Sequence, residues 1–449
     1  MYLQSVAAVD RFGAYGAYND ELLRLLSGGS STDRTAVSQH LDGLAYRWLR
    51  QTVDVDTRRK HSTFFTGSAL RAELLQPYKS LIEKGATVLD PACGAGDLLI
   101  QALSLVPRRW PEDKYCNYVE RCIYGRDLVS LLVEVAENRL LLQSQLSRGK
   151  SLSVSMHGIQ TGDGLHEDVP YGETDLVLLN PPFARVRLPA RTAWGEGLTS
   201  QAAPFTLEVL SRCRPGTRVA AILPDVLRSG SRYQRWRNHV GMLATVTSIK
   251  PVGLFDPWTD VDVFIAHFEV SGNSSQKTQS YWPALDQASD SSVRLGEVAT
   301  VSIGDVVPHR HSHEGPSVPY LTVHDVPVGS LVTSAPSRQF EGRLHQAPFL
   351  LVRRTSAPTR RGEKRLAVAM VDEKLDKVAV ENHLIVIKPT SEQPDCRALY
   401  EALQDSSVTE WLDRRIRTRH LTKAALLELP LPTLTSGRAE DSIPRIKNG

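Results

Sequence analysis

The chain has 449 residues, a formal net charge of +3, 41% hydrophobic residues and 23% charged residues. That length exceeds one compact core and favours two or three domains. The composition is that of an ordinary globular protein and excludes a disordered or fibrous one. No apolar run approaches the eighteen or so residues that span a bilayer. The N-terminal MYLQSVAAVDRFGAYG lacks the basic start and apolar core of a secretory leader, so a cytoplasmic protein with no membrane partner is expected. Cys93, Cys116, Cys122, Cys213 and Cys396 are scattered without CxxC spacing, which supports neither a disulfide framework nor a zinc knuckle.

In chain order, residues 1–57 read as an N-terminal helical segment, with helices around 20–26 and 35–49 separated by the turn SGGSSTD. Residues 58–272 alternate short β-rich runs with longer amphipathic ones. The predicted strands are TVLD (87–90), CIYGR (122–126), SVSMHG (153–158 and its surroundings), TDLVLLN (174–180), TRVAAILP (217–224), TVTSIKPV (245–252) and VFIAHFEV (263–270). LVSLLVEVAENRLLLQSQL (128–146) and APFTLEVLSRC (203–213) have helical spacing. This alternation predicts an α/β domain, Rossmann-like, whose largely parallel sheet is covered on both faces and binds ligands at the C-terminal strand ends. The polar, serine-rich stretch 273–292 reads as a linker. Residues 293–449 change to short strands with Gly and Pro punctuation and a helical close, a mixed α+β domain.

The first chemical motif is Val88-Leu89-Asp90-Pro91-Ala92-Cys93-Gly94-Ala95-Gly96, an apolar strand entering a Gly-x-Gly turn and then a helix. Such a turn lets backbone approach a ligand and places free N–H groups beside it. The third glycine of a dinucleotide fingerprint is missing, and Asp90 at the strand end would repel a phosphate. A carboxylate there suits an ammonium, which points to S-adenosylmethionine. Asp127, followed by Leu128, is placed to bind ribose hydroxyls, with the extra spacing taken up by an insertion around 107–118. Asp163, followed by Gly164, is placed to accept from an adenine amino group. Each acid alone reads as a turn former; three after three successive strands read as a nucleoside site.

The second motif ends the fourth strand: Asn180-Pro181-Pro182-Phe183. Two prolines stop the strand and fix the backbone. Asn180 offers a side-chain oxygen and Pro181 a carbonyl, together able to hold both protons of an aromatic amino group while Phe183 stacks on the ring. An aromatic amine is a poor nucleophile, and two acceptors aimed at the charge that grows during methyl transfer are what it needs.

DPACGAG followed by NPPF resembles the amino-group DNA methyltransferases, and the order of the motifs with a long C-terminal region resembles their gamma class, the N6-adenine enzymes of restriction-modification and phage-defence systems. The resemblance implies a class I S-adenosylmethionine methyltransferase domain and a site-specific adenine-N6 activity acting on a base flipped out of double-stranded DNA. It adds Pro91, Ala92, Gly94, Gly96, Asn180 and Pro182 to the cofactor site. RRKHSTFFTGSALRAELL (58–75) is similar to the segment that closes over the cofactor's methionine end, with Thr66 as contact. GLFDPWTDVDVFIAHFEV (253–270) is similar to the region that supplies a second aromatic to the flipped base, Phe255 first and Trp258 second. The family's tetrapeptide usually ends in Tyr where Phe183 stands, which keeps the stacking face and loses a hydroxyl.

The C-terminal region resembles a target-recognition domain, and the charge excess of +3 lies wholly within residues 291–449. Arg353, Arg354, Arg360, Arg361, Lys364 and Arg365 form one basic cluster and Arg414, Arg415, Arg417 and Lys423 a second, both expected to contact DNA phosphates. His309, His311 and His313 lack further ligands, so no metal site is expected. Two other substrates, RNA adenine and protein glutamine, pose a similar chemical problem, as does cytosine N4. A non-catalytic specificity protein is the remaining alternative. No nuclease constellation is evident, so any restriction or defence activity is expected on a partner subunit.

Overall fold

The computed structural model describes residues 12–28, 34–60, 65–189, 192–256, 259–271, 282, 293–311, 314–326, 329–355, 365–391, 394–417, 420–432 and 445–446. The chain divides into two compact units, 1–285 and 286–449. No helix among the described residues is long and apolar enough to cross a membrane.

The first unit is built on a seven-stranded sheet: β1 (Val88–Asp90), β2 (Ile123–Asp127), β3 (Ile159–Thr161), β4 (Leu176–Leu179), β5 (Arg218–Pro224), β6 (Ala244–Asp256) and β7 (Thr259–Val270), in the order β3-β2-β1-β4-β5-β7-β6. The first five run parallel, and β7 is antiparallel to both β5 and β6. Alternate residues serve opposite faces, as the strand period of two requires. Val88, Leu176, Leu178, Ala220 and Ile222 enter one core, and Leu89, Val177, Leu179, Val219 and Ala221 the other. Each fully buried Leu or Ile side chain contributes about 1.5–3 kcal/mol of transfer free energy.

Three sequence expectations change here. The strand expected in SVSMHG and its surroundings lies at the far edge of that range: β3 begins after Gly158, where a Cβ would stand 2.1 Å from the Ile123 carbonyl oxygen. The helix expected over 35–49 is two helices, Arg34–Leu41 and Leu44–Thr52, because Gly43 adopts a left-handed φ of 79°. The N-terminal segment 1–57 is no separate body: Phe12, Tyr15, Tyr18, Leu22, Leu49 and Val53 share the core that packs one face of the sheet. Its helix Gly16–Ser27 lies on the helix Ser130–Arg148, where Asn138 Nδ2 donates to Asn19 Oδ1 at 2.8 Å.

Within the serine-rich stretch 273–292, the one described residue is Trp282, and it belongs to the first unit. Its ring packs 5.3 Å from Trp236 and 5.9 Å from Phe268, and its backbone N–H donates to the Arg228 carbonyl. The boundary therefore falls after this anchor.

The second unit holds a six-stranded sheet of Ala299–Ile303, Leu384–Pro389, Phe349–Arg353, Val368–Val371, Leu331–Val332 and Arg445–Ile446, in that order. A four-stranded sheet runs Ser337–Gln339, Ser317–Leu321, Lys377–Val380, His345–Gln346. Helices Cys396–Leu403, Ser406–Arg415 and Lys423–Leu427 pack Leu399, Leu412 and Leu426 into a core with Leu350, Ile385 and Ile387.

Candidate active site

β1 ends in Asp90, and residues 91–96 turn the chain into the helix Asp97–Ser104. Gly94 and Gly96 adopt φ of 51° and 82°, in the left-handed region that favours glycine. At Gly96 a Cβ would also meet the Ala136 Cβ at 3.2 Å, so the loop lies tight on the helix Ser130–Arg148. Cys93 N–H donates to the Arg126 carbonyl at 2.8 Å, and Gly94 N–H to Asp127 Oδ2 at 3.0 Å. The loop is thus tied to the end of β2. Burial pushes the Cys93 thiol well up, which makes it an inert core residue.

Asp90 is 2% exposed and accepts the Ala92 N–H at 3.1 Å. Burial pushes its carboxyl up to about 8, and the Asp127 and Asp97 carboxylates push the same way. A buried acid whose charged neighbours are acids lacks a counter-charge. An ammonium would supply it, and a phosphate would worsen the repulsion.

Asp127 has a task that its spacing did not reveal. Besides Gly94, it accepts the Val129 N–H at 2.9 Å through Oδ1, so it clamps the glycine loop while retaining lone pairs for a diol. Burial lifts it to about 6 against these backbone donors. Beside it, Leu128 is 57% exposed, an apolar side chain outside the core. Asp163 shapes its own turn by accepting the Leu165 N–H at 2.9 Å. For Gly164, expected to touch the cofactor, the structure shows a packing reason: a Cβ there would stand 1.7 Å from the Pro91 carbonyl oxygen.

β4 is fully buried and delivers Asn180, Pro181, Pro182 and Phe183 to the same end of the sheet. β1 and β4 are paired neighbours, Val88 with Leu176 and Leu89 with Val177. Asp90 and Asn180 therefore leave adjacent strands, which lie about 4.8 Å apart. Asn180 Nδ2 donates to Thr66 Oγ1 at 3.0 Å, which sets Thr66 against the Asn-Pro-Pro-Phe loop. Phe183 and Phe255 also meet, their ring centroids 5.8 Å apart at 81°. Phe255 reaches this position from the end of β6. Trp258 lies outside the described residues.

Residues that the motifs did not flag hold this arrangement together. Asp97 Oδ2 accepts the Thr66 N–H at 2.9 Å, while Oδ1 accepts from Arg139 at 2.9 Å and Arg71 at 3.3 Å. Arg139 is 0% exposed and also donates to the carbonyls of Ala95 and His40. The signal was present: Arg139 stands three residues after Ala136 and four before Gln143, on the buried stripe of its helix. Arg185 and Arg187 were also passed over. They are exposed on one strand, Arg185–Arg187, two residues beyond Phe183, and at this spacing share a face.

The basic clusters of the second unit divide. Arg365 is 0% exposed; its guanidinium faces Asp413 at 3.4 Å and donates to the Ile416 carbonyl. Arg415 is 5% exposed and pairs with Glu428 at 2.8 Å. Arg353 donates twice to the Val326 carbonyl, at 2.8 and 3.2 Å. All three were expected to contact DNA; the buried guanidinium groups of Arg365 and Arg415 cannot reach a phosphate, and half-buried Arg353 is engaged by a carbonyl. Arg354 and Arg417 are half-buried, and Arg414 and Lys423 are exposed. Arg360, Arg361, Lys364 and His313 lie outside the described residues. Among the described residues no group of three or more His, Cys, Asp or Glu side chains is arranged to hold a metal ion.

A family model described as N-6 DNA methylase matches residues 37–269. The type I restriction enzyme MjaVII methylase subunit of Methanocaldococcus jannaschii is 25% identical over 182 residues, 39% of this chain and 28% of that protein. The match thus spans less than a third of that relative's length. The solved structure of the type IIL restriction-modification enzyme MmeI in complex with DNA is 13% identical, covers 86% of this chain and 70% of that one, and superposes with a TM-score of 0.53. This likeness is one of fold, and the strand order is that of the class I methyltransferases. The segment matched by the family model is more than half of the chain and contains every residue of the strand-end site, so the chain belongs to the N-6 DNA methylase family.

Proposed function

We propose that the protein is a site-specific DNA methyltransferase that moves a methyl group from S-adenosylmethionine to adenine N6. The observation that carries this reading is the placement of Asp90 and Asn180 at the ends of neighbouring strands. S-adenosylmethionine, when bound, supplies an activated methyl group on a sulfonium. Asp90 would hold its ammonium, Asp127 its ribose, and Leu128 one face of its adenine, with Asp163 near the amino edge. Asn180 Oδ1 and the Pro181 carbonyl would accept the two protons of the target amino group. They stabilise the positive charge that grows on N6 as the C–N bond forms and the C–S bond breaks, and one of the two protons then passes to water. A paired base cannot reach this loop, so the adenine must leave the duplex and stack on Phe183.

Arg185, Arg187, Arg414 and Lys423 are exposed cations able to grip phosphates. The M. jannaschii relative is named as a subunit of a restriction enzyme, and a restriction or defence subunit on another cytoplasmic chain is the partner this reading supports.

The test is label transfer from cofactor to DNA, RNA and protein acceptors, followed by modified-base sequencing. DNA labelled at adenine N6 is expected. Asn180→Ala should lower transfer at least about 10²-fold with cofactor binding retained. Label confined to RNA or protein, or unchanged turnover in Asn180→Ala, would refute the proposal.

A further inference from the structure

An amide side chain has one end that helps this reaction and one that opposes it. Oδ1 of Asn180 accepts from an amino group; Nδ2 is a donor and would confront the target's own donors. The Cβ–Cγ axis permits both orientations, so something must select between them. In the structure Nδ2 is engaged, donating to Thr66 Oγ1 at 3.0 Å, which leaves Oδ1 for the substrate.

Thr66 is itself held. It is 4% exposed, so water has little access to take the place of its hydroxyl. Its backbone N–H is fixed on Asp97 Oδ2 at 2.9 Å, and Asp97 is braced through Oδ1 by Arg139 and Arg71. Both arginines reach further, to the Leu41 carbonyl at the end of the helix Arg34–Leu41. A continuous set of hydrogen bonds therefore runs from the N-terminal helices through a buried ion cluster to the catalytic amide.

We propose that Thr66 is a positioning residue for methyl transfer, whose hydroxyl holds the Asn180 amide by its Nδ2 end and so keeps Oδ1 toward the target amino group. This assigns Thr66 a task different from contact with the cofactor's methionine end, and it rests on the proposed amino-methyl transfer. Thr66→Val keeps the side-chain shape and removes the acceptor.

The experiment measures kcat on DNA, cofactor Kd and thermal unfolding for wild type, Thr66→Val and Thr66→Ser. It also follows the side-chain amide resonances of Asn180 in protein labelled with ¹⁵N-asparagine. Thr66→Val is expected to lose about 10- to 100-fold in kcat, with cofactor Kd changed less than about twofold. Thr66→Ser should restore kcat to within about threefold of wild type. One Asn180 amide proton should exchange slowly in wild type and in Thr66→Ser, and rapidly in Thr66→Val. A folded Thr66→Val protein with wild-type kcat overturns the proposal, as does one that loses cofactor affinity and keeps kcat. If Thr66→Val does not fold, failure of Thr66→Ser to protect the Asn180 proton overturns it. If the wild type transfers no methyl group to any acceptor, the proposed function fails, and the amide resonances still decide whether Thr66 orients Asn180.

Discussion

Arg139 and Arg365 are both fully buried, one in each unit, and they serve different ends. Arg139 spends its donors on the site: the Ala95 carbonyl of the glycine loop, the Asp97 carboxylate behind it and the His40 carbonyl of the N-terminal helices. Arg365 faces Asp413 and donates to the Ile416 carbonyl, pinning the end of the helix Ser406–Arg415 to its own unit. Equal burial does not mean equal function. What decides it is whether the carbonyls and carboxylates being held belong to a ligand-facing loop or to the frame.

The largest expected effect separates these two arginines. Arg139→Met and Arg365→Met should each destabilise by about 3–5 kcal/mol, because each leaves a carboxylate in or near the core short of its cation. Only Arg139→Met should also abolish cofactor binding. Calorimetric unfolding with titration of cofactor checks both, and a stable Arg365→Met that loses DNA affinity would return that residue to the DNA-contact set.

A smaller effect concerns Asp90. Its folded carboxyl is raised to about 8 from an unfolded value near 4. Between those values the folded state holds a proton that the unfolded chain has released, so this group's contribution to stability falls as pH rises from about 4 to 8. Asp90→Asn should remove that fall and unfold at a higher temperature than wild type at pH 8, while losing cofactor. Wild-type cofactor affinity should rise by up to about tenfold per pH unit between pH 5.5 and 7, since an ammonium needs the ionised acid. A flat pH profile would show that Asp90 does not meet the ammonium.

Phe255→Ala should lower turnover about tenfold, through loss of an aromatic contact of about 0.5–1.5 kcal/mol together with the apolar surface the ring provides. Unchanged turnover would place the second stacking surface elsewhere. The smallest effect tests where DNA is gripped. Arg185→Gln with Arg187→Gln, and separately Arg414→Gln with Lys423→Gln, should each flatten the dependence of log affinity on log salt by about 1–2. A change in one pair alone assigns the phosphate contacts to that unit.

The strand-end placement of the motifs of the first unit was legible because chain geometry does the placing. A strand end followed by Gly-x-Gly or Pro-Pro specifies where Asp90 and Asn180 must stand, whatever surrounds them. Orientation was not legible. Nothing in NPPF tells which end of the Asn180 amide is engaged, since that depends on Thr66, 114 positions away in sequence. The edge of the third strand has the same character: alternation in SVSMHG and its surroundings pointed to a strand there, and the ladder with β2 starts only at Ile159. In the second unit, charge density drew attention to Arg353, Arg365 and Arg415, yet density carries no direction. Arg365 and Arg415 turn into the core, and Arg353 bonds the Val326 carbonyl. Alternation offered a better guide in Arg185 and Arg187, where a known strand end fixes the start of the count.

The meeting of Phe183 and Phe255, edge to face at 5.8 Å, has a consequence for what the pocket admits. Two rings in that arrangement leave no slot between them, so any guest that stacks between them must first part them. Water and small polar solutes offer nothing in return for the lost contact, whereas a planar heteroaromatic ring replaces it on both sides. On the proposed reading, parting this pair is a cost that a flat aromatic base would repay and a small polar solute would not, so the two rings would favour flat guests before any hydrogen bond forms.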